Sequence, residues 1–199
     1  IILERSKFMG KTYDSEKEVP ESISNDLKNE IFLFIRNWQK SRAWLMTRRR
    51  DSREIMRPVG SFIEKDWSVG TITQDLHLKT KHVANDAITG YLWVEVDHQR
   101  YGRMDFPRNI WMQGQAELIH DDEQVKDFFT KRAAATGRGD AHPTDDTYKR
   151  ILIKTTPQYL RAEGFYEDEP MRAIIIRDFN QPVTLSDENI IARLNNDAE

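Results

Sequence analysis

The chain has 199 residues, 38% hydrophobic and 32% charged, enough for one core with extensions but short for two full domains. It has no cysteine, which excludes disulfides, thiolate metal sites, iron–sulfur clusters and a cysteine nucleophile, and its net charge of −3 gives no global basic field for bulk nucleic-acid binding. No apolar run approaches the roughly 20 residues of a membrane span, and charge appears as early as Glu4 and Arg5, so no membrane contact and a cytoplasmic location are expected.

Charge is uneven. Residues 1–50 carry 11 Lys/Arg against 7 Asp/Glu, and residues 165–199 carry 3 against 8. Residues 1–23 have few apolar anchors and read as an N-terminal arm. Over residues 24–39, Leu27, Ile31, Phe34, Ile35 and Trp38 share one helical face, with Ser24 as the cap. Strand patterns follow. Residues 42–49 alternate, residues 50–53 make a polar turn, and residues 54–63 form a second strand interrupted by Pro58 and Gly60. Residues 67–73 form a third. A short helix is expected over 78–85, with Val83 as its core contact, then strands over 88–96 and 108–119. The second of these places Ile110, Met112, Gly114, Ala116 and Leu118 on one face. An acidic N-terminus and the stripe Val125, Phe128 and Phe129 predict a helix over 121–135. Residues 151–163 form a sixth strand bent at Pro157, residues 172–179 a further element, and the chain ends in an acidic tail. The order predicts a mainly β, α+β fold: six antiparallel strands in a closed or partly closed barrel, with helices at the gaps.

The strongest chemical signal lies between Arg57 and Asp86. Arg57, Pro58, Val59 and Gly60 sit on one strand and Thr71, Ile72 and Thr73 on the next, followed by Lys79 and Lys81 at the start of a short helix. Cations near a helix N-terminus, beside hydroxyls and a close-approach glycine, make an anion site for which phosphate is the natural guest. The same residues also read as solvated lysines and ordinary strand threonines.

The run Arg57-Pro-Val-Gly60, then Trp67-x-x-Gly-Thr-Ile-Thr73, then Lys79-x-x-x-Val83-x-Asn85-Asp86, resembles the pyridoxamine 5′-phosphate oxidase-like, FMN-binding split β-barrel family, which includes flavin- and deazaflavin-dependent oxidoreductases. The strand Arg108-Asn-Ile-Trp-Met-Gln-Gly114 extends the likeness, which covers residues 24–165 as a cofactor-binding domain with 166–199 as a C-terminal extension. The resemblance implies a homodimer with cofactor at the subunit interface. Arg57, Lys79 and Lys81 would hold the phosphate. Pro58, Val59, Gly60, Thr71, Ile72 and Thr73 belong to the stretch that would line the ring and ribityl chain. Asn109 would approach the cofactor from the second subunit, and Trp111 and Gln113, on the same strand and facing away from Ile110 and Met112, would also contact it. FMN is the expected cofactor, with a deazaflavin coenzyme as alternative, and the implied activity is hydride transfer to a small organic substrate. His77-Leu78 and Asn85-Asp86 depart from the family pattern, and the oxidase's C-terminal substrate motifs are not evident in residues 161–199, so pyridoxamine phosphate is not the expected substrate.

A non-catalytic flavin or haem carrier on the same fold is the alternative, with His77, His82 or His98 as an axial ligand, and an interaction protein with a decayed groove is a third reading. Tyr91, Trp93, Trp111 and Arg103 either shape a substrate pocket or fill the barrel. No metal site is expected: His77 and His82 lack the four-residue helical spacing, and His142 with Asp140, Asp145 and Asp146 reads as a solvated loop. Arg48, Arg49 and Arg50 read as an exposed turn, and no Gly-x-Ser-x-Gly elbow points to hydrolysis.

Overall fold

The computed structural model describes residues 12–14, 23–96, 107–136, 149–166 and 171–196. In chain order these form β1 (Thr12–Asp14), α1 (Asn25–Arg36), β2 (Ser41–Arg48), β3 (Glu54–Val59), β4 (Ser61–Ile63), β5 (Val69–Gln74), α2 (Leu78–Asn85), β6 (Ile88–Glu95), β7 (Asn109–Ile119), α3 (Asp122–Thr136), β8 (Arg150–Glu163), β9 (Ala173–Ile176) and α4 (Asp187–Asn196).

Helix α1 starts where Ser24 Oγ accepts the Leu27 N–H at 3.2 Å. It buries Ile31, Phe32, Phe34 and Ile35. The sequence pattern carried the helix to residue 39, but it stops at Arg36. Asn37 Oδ1 accepts the N–H groups of Gln39 and Lys40, at 3.1 and 3.2 Å, and turns the chain into β2.

The strands run in the order β1-β9-β8-β7-β6-β2-β3, with β5 beside β8 and β4 beside β5. Every pairing is antiparallel except β1 with β9. Only Gly60 separates β3 from β4, so the sheet curls back on itself as a split β-barrel. The split lies where β3 pairs with β2 and residues 72–74 of β5 pair with β8, with no ladder between them among the described residues. Strand β8 has 14 residues. It pairs with β7 along one edge and with β5 and then β9 along the other.

Among the described residues nine strands stand where six were expected. The 54–63 segment divides at Gly60, and β1 and β9 extend the sheet beyond the barrel. The third strand begins at Val69 instead of residue 67, because Trp67 adopts φ 67° in a turn closed by Glu64 N–H to Ser68 O at 2.8 Å. That conformation costs a bulky residue about 1–3 kcal/mol. It is offset by burying the indole, 2% exposed, edge-on against Phe32 and Phe179 at 6.0 and 6.1 Å. The bend expected at Pro157 is a β-bulge, where the β7–β8 register shifts between Gln113 and Gly114. Gly114 is required there, because a Cβ would lie 2.2 Å from Thr156 O.

The main core fills the barrel and the space under α1. It includes Ile174, Ile176, Val183 and Ile190 from the C-terminal residues. A second cluster, Phe62, Val125, Phe128 and Leu152, lies under α3. Part of the expected acidic tail is α4, held by the Lys65–Asp187 ion pair at 2.8 Å and by Val183 N–H to Lys65 O at 2.8 Å.

Candidate functional site

Register assigns the expected site residues to two sheet faces. One row runs Arg57–Leu45–Tyr91–Met112–Leu160 across β3, β2, β6, β7 and β8, and Leu45, Tyr91, Met112 and Leu160 are fully buried. Arg57 therefore lies on the barrel's inner face, at the edge strand beside the split. The adjacent row, Pro58–Trp44–Leu92–Trp111–Arg161, belongs to the outer face.

Helix α2 spans the end of the barrel near the split. Residues at i, i+3 and i+4 share a helical face. Lys79, His82 and Val83 follow that spacing, and His82 and Val83 are buried. Three contacts anchor the helix. His82 Nδ1 lies 3.0 Å from Thr47 Oγ1, Thr80 Oγ1 donates to Gln74 O at 3.0 Å, and Asp86 at the C-terminal end pairs with Arg48 at 3.2 Å. His77, at the N-cap position, makes no side-chain cap and instead shares a hydrogen bond with Thr73 Oγ1 at 2.8 Å.

Arg57 and Lys79 are brought together. The ammonium of Lys79 is held below its ordinary range first by burial and then by the Arg57 charge. Burial, then Arg57 and Arg49, likewise lower the His82 imidazole, with Asp51 opposing. Among the described residues no carboxylate offsets the shift at Lys79, and neither Lys79 nor Arg57 forms an ion pair. Two like charges thus lie within electrostatic reach of each other near the split. Lys81 is not part of this pair: two residues from Lys79 on the helix, it is exposed.

The other expected contacts divide as follows. Thr71 turns its hydroxyl into the barrel, 2.9 Å from Tyr91 Oη. Ile72 packs on the cluster under α3. Val59 is half-buried against the main core, and Gly60 lies beneath the guanidinium of Arg132, where a Cβ would be 3.1 Å from Nη2. Pro58 is exposed on the outer face.

Asn109, Trp111 and Gln113 share that outer face on β7. Three strand spacings of about 4.8 Å put them roughly 14 Å from β3, on the opposite face from Arg57. Within the chain they do not meet Arg57 and Lys79. Trp111 lies flat over Gly90, where a Cβ would be 2.3 Å from its ring.

Tyr91 and Trp93 are barrel core: both are fully buried and stack at 5.3 Å. His77 and His82 each bond to a different threonine, and no group of three metal-ligating residues gathers among the described residues. In the basic turn Arg48 pairs with Glu54 and Asp86, and Arg49 with Asp51. His98, Arg103, His142, Asp140, Asp145 and Asp146 lie outside the described residues. No helix among the described residues is long and apolar enough to cross a membrane. Sequence reasoning missed the Thr47–His82 contact and the approach of Arg132 to Gly60; both join segments distant in sequence, and no local signal marks them.

Neither a family model nor a curated protein matches the sequence. Solved structures do match. A heme binding protein from Mycobacterium smegmatis is similar at 13% identity, over 86% of this chain and 62% of its own, with a TM-score of 0.54. The conserved hypothetical protein Rv2991 from Mycobacterium tuberculosis is similar at 17% identity, over 67% and 81%, with a TM-score of 0.51. Structural neighbours also include a pyridoxamine 5′-phosphate oxidase-related, FMN binding protein from Nostoc punctiforme, at 15% identity over 73% and 87%, with a TM-score of 0.49. At these identities the likeness is one of fold; the curled antiparallel sheet itself matches the split β-barrel expected from the motifs.

Proposed function

We propose that the chain is a homodimeric flavin-binding oxidoreductase that holds the phosphate of FMN between Arg57 and Lys79. The observation that carries this is the uncompensated cation pair at the barrel split. An anion there relieves the repulsion and returns Lys79 toward its ordinary protonation. The uncapped start of α2 adds backbone N–H groups of favourable polarity. Arg57 serves as the planar donor fork and Lys79 as a point charge. Lys81, being exposed, contributes at long range only.

The outer sheet face supports the dimer. Trp44, Leu92, Val94 and Trp111 lie there half-buried, beside exposed Pro58 and Met56. A stable interface covers roughly 800 Å² per partner. Asn109, Trp111 and Gln113 lie on this face and would meet the partner there. When bound, the flavin supplies hydride chemistry. The chain binds, orients and excludes water, and its residues provide no compulsory acid or base. A deazaflavin coenzyme presents the same phosphate and fits the same pair.

Titration of the purified protein with FMN, followed by visible absorption, tests this reading. Saturable binding at one FMN per chain supports it, and no spectral change overturns it. A haem carrier is the second reading: the M. smegmatis heme binding protein shares the fold, and exposed His77 has its Nδ1 fixed by Thr73, which leaves Nε2 for an axial bond. A haem spectrum abolished by H77A would replace the flavin assignment.

A further inference from the structure

A cavity of about 230 Å³ opens between the end of α1, the start of β2, the β3–β4 junction and α3. Trp38, Arg42, Gly60, Ser61, Trp93 and Arg132 are among its walls. Its charged lining residues are both arginines, brought from positions 90 apart in sequence, and none of its lining residues among those described is acidic. Ser61 Oγ accepts the Trp93 indole N–H at 3.1 Å and keeps its own proton to donate. Arg132 reaches the cavity across Gly60, where any side chain would press on its guanidinium.

We propose that this cavity binds a small, flat organic carboxylate. The charge of its walls selects an anion, and the arginine forks and the serine hydroxyl suit carboxylate oxygens. Trp38 and the edge of buried Trp93 add apolar lining. Size sets the class. A dry apolar cavity of about 150 Å³ takes benzene, whereas drug-sized ligands need roughly 300–1,000 Å³. The space therefore suits a single ring bearing an acid group and is too small for a flavin tricycle. Val59 and Gly60 also belong to the stretch assigned to the flavin ring, so as a substrate pocket the cavity rests on the proposed function, while the anion selectivity stands on its own walls.

The test is calorimetric titration of the purified protein with benzoate and with benzamide, its neutral isostere, with FMN titrated on the same sample. Saturable benzoate binding, at least tenfold tighter than benzamide and at least tenfold weakened in R42Q and in R132Q, is expected. Because R132Q also alters the α3 contact, R42Q at the exposed rim keeps the test decisive if R132Q misfolds. Absence of benzoate binding at millimolar concentration, or equal binding of benzamide, overturns the inference; if FMN still binds, the flavin reading survives that result. Benzoate binding without FMN binding upholds the anion pocket and removes the flavin from it.

Discussion

Glu95 and Arg108 form the most buried ion pair among those described, and replacing Glu95 tests how the β6–β7 face is held. Glu95 Oε1 accepts from Arg108 Nη2 at 2.8 Å and Nε at 3.1 Å, and Oε2 accepts the Arg108 backbone N–H at 3.1 Å. The Glu95 side chain is 4% exposed and that of Arg108 18%. Arg108 also lies over the rings of Phe34 and Phe165, at 5.1 and 5.8 Å, and faces Glu30 at 3.6 Å. Removing one member of a buried pair costs about 3–5 kcal/mol, because the other charge stays buried. Glu30 and the partial exposure of Arg108 offset some of that, so Glu95→Gln is expected to destabilise by about 2–3 kcal/mol. Urea unfolding of E95Q, R108M and the E95Q/R108M double variant measures it. The double variant is expected to lose less than the two single losses added together, since it strands no charge. A loss below about 1 kcal/mol for E95Q, or simple additivity, would mean that Glu95 does not hold the buried Arg108 charge.

Three further outcomes are expected. Tyr91 is pushed up to about 12 by complete burial, against its bonds to Thr71 and Thr155. Its raised folded value gives stability that is whole below about pH 10 and lost as pH rises through about 12, so ultraviolet titration should show one tyrosine ionising only with unfolding; normal ionisation of all six would contradict this. Gly90→Ala should push Trp111 off the sheet, destabilise by about 1–3 kcal/mol and weaken self-association in sedimentation velocity; an unchanged association constant would remove Trp111 from the interface. Lys79, lowered in the free protein, should begin to lose its proton below the ordinary lysine range, so FMN affinity should fall with rising pH from that point. K79R should move the fall to higher pH, and a pH-independent affinity would detach Lys79 from the phosphate.

Much of the architecture was legible because its signals are local. The Ser24 cap, the alternation through β2 and the short helix α2 need only neighbouring residues. Trp67 misled, because an aromatic between polar residues looks like a strand end, whereas burial holds it in a left-handed turn. Helix α4 escaped notice because its charge resembles a solvated tail, and only docking of Ile190 on the core gives it a reason to fold. The parallel pairing of β1 with β9 joins residues about 160 apart and has no local signature. In the site, the cation pair was readable from motif order. The division of its residues between inner and outer faces required the register, and the exposure of Lys81 required the helix to be placed on the barrel.

In the proposed function Arg57 and Lys79 hold a cofactor phosphate. Each charge-assisted contact contributes about 1.5–3 kcal/mol, so losing both should weaken binding by roughly 10²–10⁴-fold. FMN affinity measured for the natural protein, R57A/K79A and K81A, with folding checked by circular dichroism, tests it most directly. That loss is expected in R57A/K79A, with less than a tenfold change in K81A. Equal affinity in all three proteins, or a loss confined to K81A, would contradict it.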